Sequence, residues 1–304
     1  MKVFVAGASG VIGRPTVRRL VAAGHEVVGM TRREERAGEI RAAGAEAVVC
    51  DAFDAEGLRE ALAAAGPEVV VHLLTALPRR YDRRSDYLEP TNRIRVEGTR
   101  NLIAAAVAAG ARRMVAESNA FVYRREGGWV KDEEEPIEDR AGPGRAPGKL
   151  ERQVLGADLE GLVLRYGWLY GPGTYYDRGG QEALEVERRR LPIVGRGTGT
   201  FSFVHSEDAA AATVAAVERG APGIYNVVDD EPAAMREWLP VYAQALGAKP
   251  PRRVPYRLAR LAAGDAARAA VELRGASNAK AKRELGWTLE HPSWRRGFAD
   301  ALRA

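Results

Sequence analysis

Cysteine is almost absent from this chain, since Cys50 is the only one among 304 residues. A single thiol cannot close an internal disulfide, which excludes a disulfide-stabilised scaffold. Such low cysteine usage is typical of a reducing compartment, and we therefore expect a cytoplasmic protein.

Long apolar runs are also missing. The apolar stretch at the N-terminus is interrupted almost at once by glycine and serine, and no later run approaches the roughly 18–20 apolar residues that span a bilayer. We therefore expect neither a membrane-spanning helix nor an export signal.

Residues for metal or serine chemistry are sparse. The histidines stand far apart, at positions 25, 72, 205 and 291, so no metal site is expected. Ser9 is followed two places later by Val11 rather than glycine, which excludes a G-x-S-x-G nucleophile elbow. We expect His72 to be a hydrogen-bonded core residue, and His205 with Asp208 to stand at a helix N-terminus.

The charge is mildly basic. Lysine and arginine total 46 against 41 acidic residues, a net charge of +5. The basic residues are spread along the chain and mixed with acidic ones, and only 78–86 is locally dense. Nucleic-acid binding requires basic residues clustered on one face, so no nucleic-acid partner is expected.

Short β-branched runs alternate with alanine-rich amphipathic runs through the first half of the chain, which predicts a parallel sheet covered on both faces. The fold class is therefore α/β, a Rossmann-type doubly wound parallel sheet with a small C-terminal substrate lobe. Residues 127–148 are expected to form an irregular loop, followed by a helix from about 149. Strands are expected at 2–7, 25–32, 46–51, 68–76, 112–118 and 162–167, and helices at 14–24, 33–44, 53–66 and 91–110.

The later segments interleave rather than form a clean second domain. Residues 203–220 and 224–229 look like returns to the main sheet. We expect a dinucleotide-binding domain made of 1–167 with 203–230. The substrate lobe is expected to combine 168–202 with 231–304.

The stretch GASGVIG at 7–13 follows a strand and opens a helix. Glycines there permit a tight turn and close approach of the backbone to a pyrophosphate, which then lies on free N–H groups at the helix N-terminus. The pattern predicts dinucleotide binding. The expected contacts are Gly7, Ser9, Gly10, Val11, Ile12 and Gly13.

The second strand indicates which dinucleotide is bound. An acidic residue at its end would bind the ribose hydroxyl of NAD, but Arg32 and Arg33 stand there instead. Arginine can bind the additional phosphate of NADP, so NADP is expected and NAD is the less favoured alternative. Pairing of the two arginines with Glu34 and Glu35 is the competing interpretation.

At these motifs the chain resembles the short-chain dehydrogenase/reductase superfamily, in its extended or atypical branch, and is similar in layout to NAD-dependent epimerase/dehydratase proteins. The resemblance covers nearly all of the chain. It implies that Asp51 and Ala52 lie at the adenine, that Leu73, Leu74 and Thr75 flank the nicotinamide ribose, and that Tyr166 lies near the nicotinamide. The motifs that carry it are GASGVIG (7–13), CDAFD (50–54), VVVHLLTA (69–76), EGTRNL (97–102), LRYGWLYGPG (164–173) and FVHSEDAA (203–210).

The proton-transfer motif of that superfamily, Tyr-x-x-x-Lys, is missing. Alignment on Lys149 places Arg145 at the tyrosine position, and alignment on Glu151 places Pro143 there. Arginine does not release its proton near neutral pH, and proline has none to release.

Other residues are expected to take over the reaction site. Asn119 occupies the position of the superfamily's serine or threonine, Ser118 precedes it, and Tyr123 is the nearest candidate proton donor. With Lys149, these three form the expected catalytic set.

The expected substrate is small and partly apolar. Trp168, Tyr170, Tyr175 and Phe201 are the candidate substrate contacts, and Phe201 stands where sugar-nucleotide members carry an arginine, which argues against a nucleotide sugar. Arginines 79, 80, 83 and 84 are expected to form a solvated face, with attraction of an anionic substrate as the alternative.

We therefore expect an NADP-dependent oxidoreductase that acts on a small carbonyl or alcohol. A cofactor-binding sensor without turnover and an NAD(P)-dependent epimerase or isomerase remain alternatives. The resemblance also suggests a homodimer through helices 91–110 and 149–160.

Overall fold

The computed structural model describes residues 1–82, 86–140 and 142–303. The strands are β1 (Lys2–Ala6), β2 (Glu26–Thr31), β3 (Glu46–Val49), β4 (Val69–His72), β5 (Arg113–Asn119), β6 (Val130–Lys131), β7 (Glu160–Tyr166), β8 (Trp168–Tyr170), β9 (Ile193–Val194), β10 (Thr200–Phe201), β11 (Phe203–His205), β12 (Gly223–Val227), β13 (Ala233–Ala234), β14 (Arg253–Val254) and β15 (Gly275–Ala276). The helices are α1 (Gly13–Ala22), α2 (Glu34–Ala42), α3 (Ala55–Ala65), α4 (Glu89–Arg93), α5 (Thr99–Ala108), α6 (Arg145–Leu155), α7 (Gln181–Glu187), α8 (Ser206–Glu218), α9 (Met235–Ala245), α10 (Tyr256–Glu272), α11 (Ala279–Leu285) and α12 (Trp294–Ala301).

A seven-stranded sheet organises these elements, with strand order β12-β7-β5-β4-β1-β2-β3 and parallel pairing throughout. Val3 and Val5 of β1 face one core, with α1 and α8, while Phe4 and Ala6 face the other, with α3, α5 and α6. All four side chains are fully buried, as expected for a strand covered on both faces. The predicted Rossmann-type doubly wound fold is confirmed.

A separate core of aromatic side chains lies outside the sheet. Its members come from between residues 170 and 302. Most ring pairs among Tyr176, Phe203, Trp238, Tyr242 and Phe298 pack edge to face or tilted, and Tyr176 stacks on Phe298. Edge-to-face packing is the favourable geometry for such rings. The division into a dinucleotide domain and a substrate lobe is consistent with this second core and stays a prediction.

The predicted long helix over 91–110 is helical but not α-helical throughout. Between α4 and α5 the chain forms a π-helix, Ile94–Gly98, so the three segments run on without a break. A π-turn carries one extra residue per turn and is found mostly at functional sites.

Two other segments differ from expectation. Helix α6 begins at Arg145 within the predicted loop, because Pro147 lies in the first helical turn, where a missing N–H has no cost. Strand β11 pairs with β8 in a small sheet of its own, whereas β12 joins the main sheet as predicted.

Helix N-termini follow the sequence signals. Asp54 caps α3 by accepting the Gly57 N–H, and His205 caps α8 by accepting the Glu207 N–H at Nδ1. Asp208, in the first turn of α8, accepts the N–H groups of Glu290 and His291 and so fixes the C-terminal segment. These structural roles are confirmed. Within the three described ranges, no helix is both long enough and apolar enough to cross a membrane.

Candidate active site

The strands β1 to β5 all end at one edge of the sheet, and the segments that follow them surround a crevice. Because β1 lies between β2 and β4, the chain leaves β1 at the point where the strand order reverses. In open α/β sheets, ligands bind in the crevice at this point. The candidate site therefore lies beyond the carboxyl ends of β1 and its neighbours.

The glycine turn after β1 leaves no room for side chains. Gly7 has a φ of +93°, and a Cβ added there would lie 2.8 Å from the carbonyl carbon of Leu73. A Cβ at Gly13 would lie 2.0 Å from the carbonyl oxygen of Gly7. Only glycine fits at either position, and the turn therefore brings bare backbone to the crevice.

This turn offers free hydrogen-bond donors. Gly10 donates its N–H to the carbonyl of Gly7, but the N–H groups of Ser9, Val11 and Ile12 donate to no acceptor within the described ranges. Such amides at a helix N-terminus, together with the positive end of the α1 dipole, suit a diphosphate. The residues present fit a dinucleotide.

The adenosine end is open and positively charged. Arg32 and Arg33 are exposed, and no ion pair joins them to Glu34 or any other described acid. Pairing with the neighbouring glutamates is therefore not seen. Thr31 connects this end to the turn through a 3.3 Å contact between its Oγ1 and the Ser9 Oγ.

The adenine position is shaped by a turn after β3. Asp51 is exposed, and its Oδ1 accepts the Phe53 N–H at 2.9 Å, leaving the second carboxylate oxygen toward solvent. Ala52 is buried and its carbonyl accepts a hydrogen bond from Asn101. This arrangement suits the adenine contact expected for Asp51, which stays a prediction.

The segment after β4 is held by a buried histidine. His72 Nδ1 accepts the Leu74 N–H at 3.3 Å, so its Nε2 carries the proton and donates to Thr99 Oγ1 at 2.9 Å. Burial lowers the pKa of His72 to about 4, so the ring is neutral at physiological pH. The structural role expected for His72 is confirmed. Leu73 is buried and Thr75 exposed, so Leu74 and Thr75 are the residues that can face a ligand.

Asn119, at the end of β5, is half-buried and bound to a charged pair. Arg95 donates from Nε and Nη2 to both oxygens of Glu117, at 2.9 and 3.1 Å, and from Nη2 to the Asn119 Oδ1 at 3.2 Å. No sequence motif points to Arg95 or Glu117. The sequence shows only a charge of each sign in two separate segments, and nothing in either segment shows that the two side chains meet.

The structure corrects the roles expected for Ser118 and Tyr123. Ser118 is fully buried and donates to Glu151. The Tyr123 hydroxyl, also buried, accepts from Arg165 at 2.8 Å and donates to Asn226 at 2.7 Å. Burial raises the pKa of Tyr123 to about 12. Both hydroxyls are thus held in the interior by partners of the protein, and neither faces the crevice.

Helix α6 presents no proton donor where the superfamily's tyrosine is expected. Glu151 contacts Arg165 of β7 with both carboxylate oxygens, which defines the helix face toward the sheet. The residues on that face nearer the N-terminus are Gly144, Pro147 and Gly148.

The space in front of these residues is already filled. A Cβ at Gly144 would lie 2.1 Å from the Glu138 carbonyl oxygen, and one at Gly148 would lie 2.5 Å from the Asp139 Cβ. Pro143 and Arg145, the two aligned positions, are exposed. Lys149 is half-buried on α6, and its catalytic role stays a prediction.

Aromatic side chains form one side of the site. Trp168 stacks on Phe121 with ring centroids 4.3 Å apart and lies 5.7 Å from Phe201. All three are half-buried. The Trp168 Nε1 is buried without a hydrogen-bond partner in the described ranges. We call Phe121, Trp168 and Phe201 the aromatic wall. No sequence motif points to Phe121, which lies in the turn that follows β5.

Two other predicted contacts are corrected. Tyr166 is buried and its hydroxyl bonds to Thr213 at 2.7 Å, while its carbonyl accepts the Ala120 N–H. Tyr170 is 1% exposed and packs edge to face against Phe298. These side chains fill the two cores and do not reach the crevice.

A second aromatic group follows β4. Tyr175 is half-buried, donates to the Pro78 carbonyl and packs edge to face against Tyr81, which stacks on Tyr87. Arg79 and Arg80 are exposed, as expected of a solvated face. Arg83 and Arg84, named with them in the sequence analysis, lie outside the described residues.

Comparison with known proteins agrees with this geometry. A model of the NAD dependent epimerase/dehydratase family matches residues 3–227, most of the chain. The chain belongs to this family. Its members are NAD(P)-dependent enzymes, so this family member is an oxidoreductase or an epimerase.

Individual relatives of this family member include reductases. A 3-diazoavenalumate denitrifying reductase of a Streptomyces species is 49% identical over 305 residues, covering 98% of this chain and 99% of the relative. A 4-hydroxy-2-methyl-3-oxo-4-farnesyl-3,4-dihydroquinoline-1-oxide ketoreductase of Stigmatella aurantiaca is 30% identical over 94% of this chain and 92% of its own.

A solved structure supports the fold. The UDP-glucose 4-epimerase of Thermotoga maritima, crystallised with UDP-glucose, superposes with a TM-score of 0.79. It covers 100% of this chain and 98% of its own length at 21% identity. At that identity the likeness concerns the fold alone.

Replacing Gly13 by alanine tests the glycine turn. Because the added Cβ would meet the Gly7 carbonyl, we expect the free energy of NADPH binding to become about 1–3 kcal/mol less favourable. The Kd for NADPH should therefore rise roughly ten- to hundredfold. Fluorescence titration measures it. Gly38→Ala is the matched control, because a Cβ at Gly38 on α2 meets nothing within 4 Å. Equal affinity in both variants would place the nucleotide elsewhere.

Replacing Tyr123 by phenylalanine tests its reassignment as an interior residue. The change removes the buried partner of the Asn226 Oδ1 and of the Arg165 Nη1, so the free energy of unfolding should fall by about 1–3 kcal/mol. Turnover should stay within about threefold, whereas loss of a general acid lowers it by roughly 10²-fold or more. Denaturant titration and initial rates measure the two effects. Tyr256→Phe, for which no hydrogen bond is seen in the described ranges, is the control.

Proposed function

We propose that this protein is an NADPH-dependent reductase that replaces the diazo group of a planar aromatic substrate by hydrogen and releases it as dinitrogen. The observation that carries the proposal is the start of α6, where neither the buried Gly144, Pro147 and Gly148 nor the aligned Pro143 and Arg145 supplies a proton donor. A protein that reduced carbonyls with the superfamily's chemistry would need an acid at this place.

The chemistry of a diazo substrate removes that need. Reduction of a carbonyl to an alcohol requires a hydride and a proton. In an arenediazonium ion, one hydride forms the new C–H bond, the C–N bond breaks, and its electron pair leaves with N₂. Charge and atoms balance without a proton donor. A site that has lost its acid can therefore still catalyse this reaction by positioning.

The similarity to a relative named for denitrifying reduction of a diazo compound supports this class of substrate. It extends over 98% of the chain at 49% identity. The substrate expected from the sequence is a carbonyl or alcohol. The ketoreductase relative supports that alternative, but at 30% identity it does so less strongly than the 49% identical relative supports a diazo substrate.

Different residues of the site would bind different parts of the dinucleotide and of the substrate. The free N–H groups after β1 would bind the diphosphate, Asp51 the adenine, and Leu74 with Thr75 the nicotinamide ribose. Once bound, the dinucleotide supplies the hydride. The aromatic wall would hold a flat arene by stacking and exclude water from it.

Two contacts would orient the substrate. The Nδ2 of Asn119 is a donor at the end of β5, and the buried Nε1 of Trp168 lacks an acceptor in the described part of the chain. An unpaired buried donor costs free energy that a ligand acceptor would recover. Lys149 and Tyr175 line the approach in this proposal. Phe201, in the aromatic wall, favours an apolar ligand over a nucleotide sugar.

NADP is proposed over NAD on electrostatic grounds. Arg32 and Arg33 are exposed at the end of β2, and no acid neutralises them in the described ranges. Two free guanidinium groups there suit a phosphate on the adenosine ribose.

We also propose a cytoplasmic homodimer, with 1–167 and 203–230 as its dinucleotide domain and 168–202 and 231–304 as its substrate lobe. The outer faces of α5 and α6 expose Val107 and Leu155, at 39% and 42% of their surface, which supports pairing through these helices.

Isotope transfer tests the proposed reaction. With 4-carboxybenzenediazonium as probe and NADPH deuterated at nicotinamide C4, in each stereochemical form, we expect benzoate with deuterium at the carbon that carried nitrogen. In D₂O with unlabelled NADPH, the product should contain no deuterium at that carbon. Mass spectrometry and NMR of the product measure both.

The controls for this experiment are the reaction without protein and the Gly13→Ala variant. Deuterium taken from solvent would contradict direct transfer. Absence of benzoate, together with NADPH oxidation by ketones, would restore the carbonyl interpretation.

Removing the arginines tests the choice of dinucleotide. Arg32→Ala and Arg33→Ala each remove a charge-assisted contact, so we expect the Kd for NADPH to rise by about tenfold or more. The Kd for NADH should not change. Arg41→Ala, an exposed arginine in the last turn of α2, is the control. Unchanged affinity for both dinucleotides would show that the second strand does not select NADP.

A further inference from the structure

A buried ion pair stands at the carboxyl end of β5, beside the proposed reaction site. Arg95 and Glu117 are each 5% exposed. Arg95 donates to both carboxylate oxygens of Glu117, and that carboxylate accepts no other hydrogen bond in the described ranges. Removing two charges from water is costly, and buried pairs of this kind contribute little to net stability. Stability therefore does not explain why this ion pair is buried here.

The backbone around Arg95 is also unusual. Arg95 lies in the π-helix Ile94–Gly98, between two ordinary α-helices. Such turns are rare and are found frequently at functional sites. Two independent features, the buried charge and the π-turn, thus coincide at one residue that no motif of the sequence identified.

The third hydrogen bond of Arg95 explains what the pair does. Its Nη2 donates to the Asn119 Oδ1 at 3.2 Å. A guanidinium has only donors, so the amide oxygen of Asn119 must face it and the amide nitrogen must point away. Asn119 is half-buried, and its Nδ2 has no partner within the described residues.

We propose that Arg95, held by Glu117, is a positioning residue that fixes the Asn119 carboxamide with its NH₂ group toward the substrate. The inference rests on the proposed function in one respect, that Asn119 faces the substrate. The group that the Asn119 NH₂ would contact is an oxygen substituent on the arene, because an N–H donor requires an acceptor.

The arrangement has two physical consequences. A carboxamide already held at its oxygen loses little rotational freedom when a substrate binds. The positive charge of Arg95 also polarises the amide and strengthens its N–H as a donor. Both effects act on substrate binding and orientation, and neither acts on the dinucleotide.

A double-mutant cycle tests the proposal. Arg95→Lys keeps a positive partner for Glu117, but an ammonium lacks the planar fork that reaches Glu117 and Asn119 together. We expect Arg95→Lys and Asn119→Ala each to lower kcat/KM for 4-carboxybenzenediazonium by about tenfold or more. In the Asn119→Ala background, Arg95→Lys should have an effect of less than about twofold, because the group it positions is gone.

A second measurement needs no turnover. In ¹⁵N-asparagine-labelled protein, the Asn119 side-chain signal is assigned by its loss in Asn119→Ala. Arg95→Lys should move its Nδ2 shift toward that of a free carboxamide. The Asn101 signal, from an amide that donates to the Ala52 carbonyl, should stay in place. Arg93→Lys, an exposed neighbour paired with Glu97, is the matched control and should change neither readout.

The outcomes separate the two proposals. The positioning role would be overturned if Arg95→Lys lowered kcat/KM equally with Asn119 and with Asn119→Ala, or if the Asn119 signal did not move. Arg95 would then have a structural role only. A moved Asn119 signal without turnover of the probe would support the positioning role and contradict the proposed function. If Arg95→Lys has no effect on kcat/KM in the Asn119→Ala background and moves the Asn119 signal as a single variant, both the positioning role and the proposed function are supported.

Discussion

The crevice depends on the missing side chains of Gly7 and Gly13. A Cβ on either glycine would occupy the space of the backbone opposite, so any other residue would force β1, α1 and the segment after β4 apart. With both glycines present, the amides of Ser9, Val11 and Ile12 stay without acceptors at the positive end of a helix. In the proposed function, the placement of every other ligand contact would follow from where this turn binds the diphosphate.

Local packing fills the positions where the superfamily's proton donor is expected. Residues near Glu138 and Asp139 lie against the first turns of α6, in the space that a side chain on that helix would need. The hydroxyls nearby are bound into the interior: Ser118 to Glu151, and Tyr123 to Arg165 and Asn226. In the proposed function, the crevice would bind the hydride donor and would offer stacking rings and an amide instead of an acid.

Much of this could be predicted from the sequence, because the relevant signals are local. Strand and helix periodicity, the glycine turn and the cap at Asp54 depend on neighbouring residues, and the structure agrees with them. The errors concern side chains at strand ends. Tyr166 and Tyr170 looked like ligand contacts because they stand in a recognisable motif, yet pleating turns them into the two cores.

The sequence by itself determined the α/β sheet, the dinucleotide turn, the pair of arginines after β2 and the loss of Tyr-x-x-x-Lys. Each depends on residue types within one short segment, whose backbone geometry follows from those residues. Only the tertiary structure decided that Arg95 meets Glu117 and Asn119, that Phe121 stacks on Trp168, and that Tyr123 points inward. Those contacts join segments distant in the chain, and which segments become neighbours is set by the packing of the whole sheet and its helices.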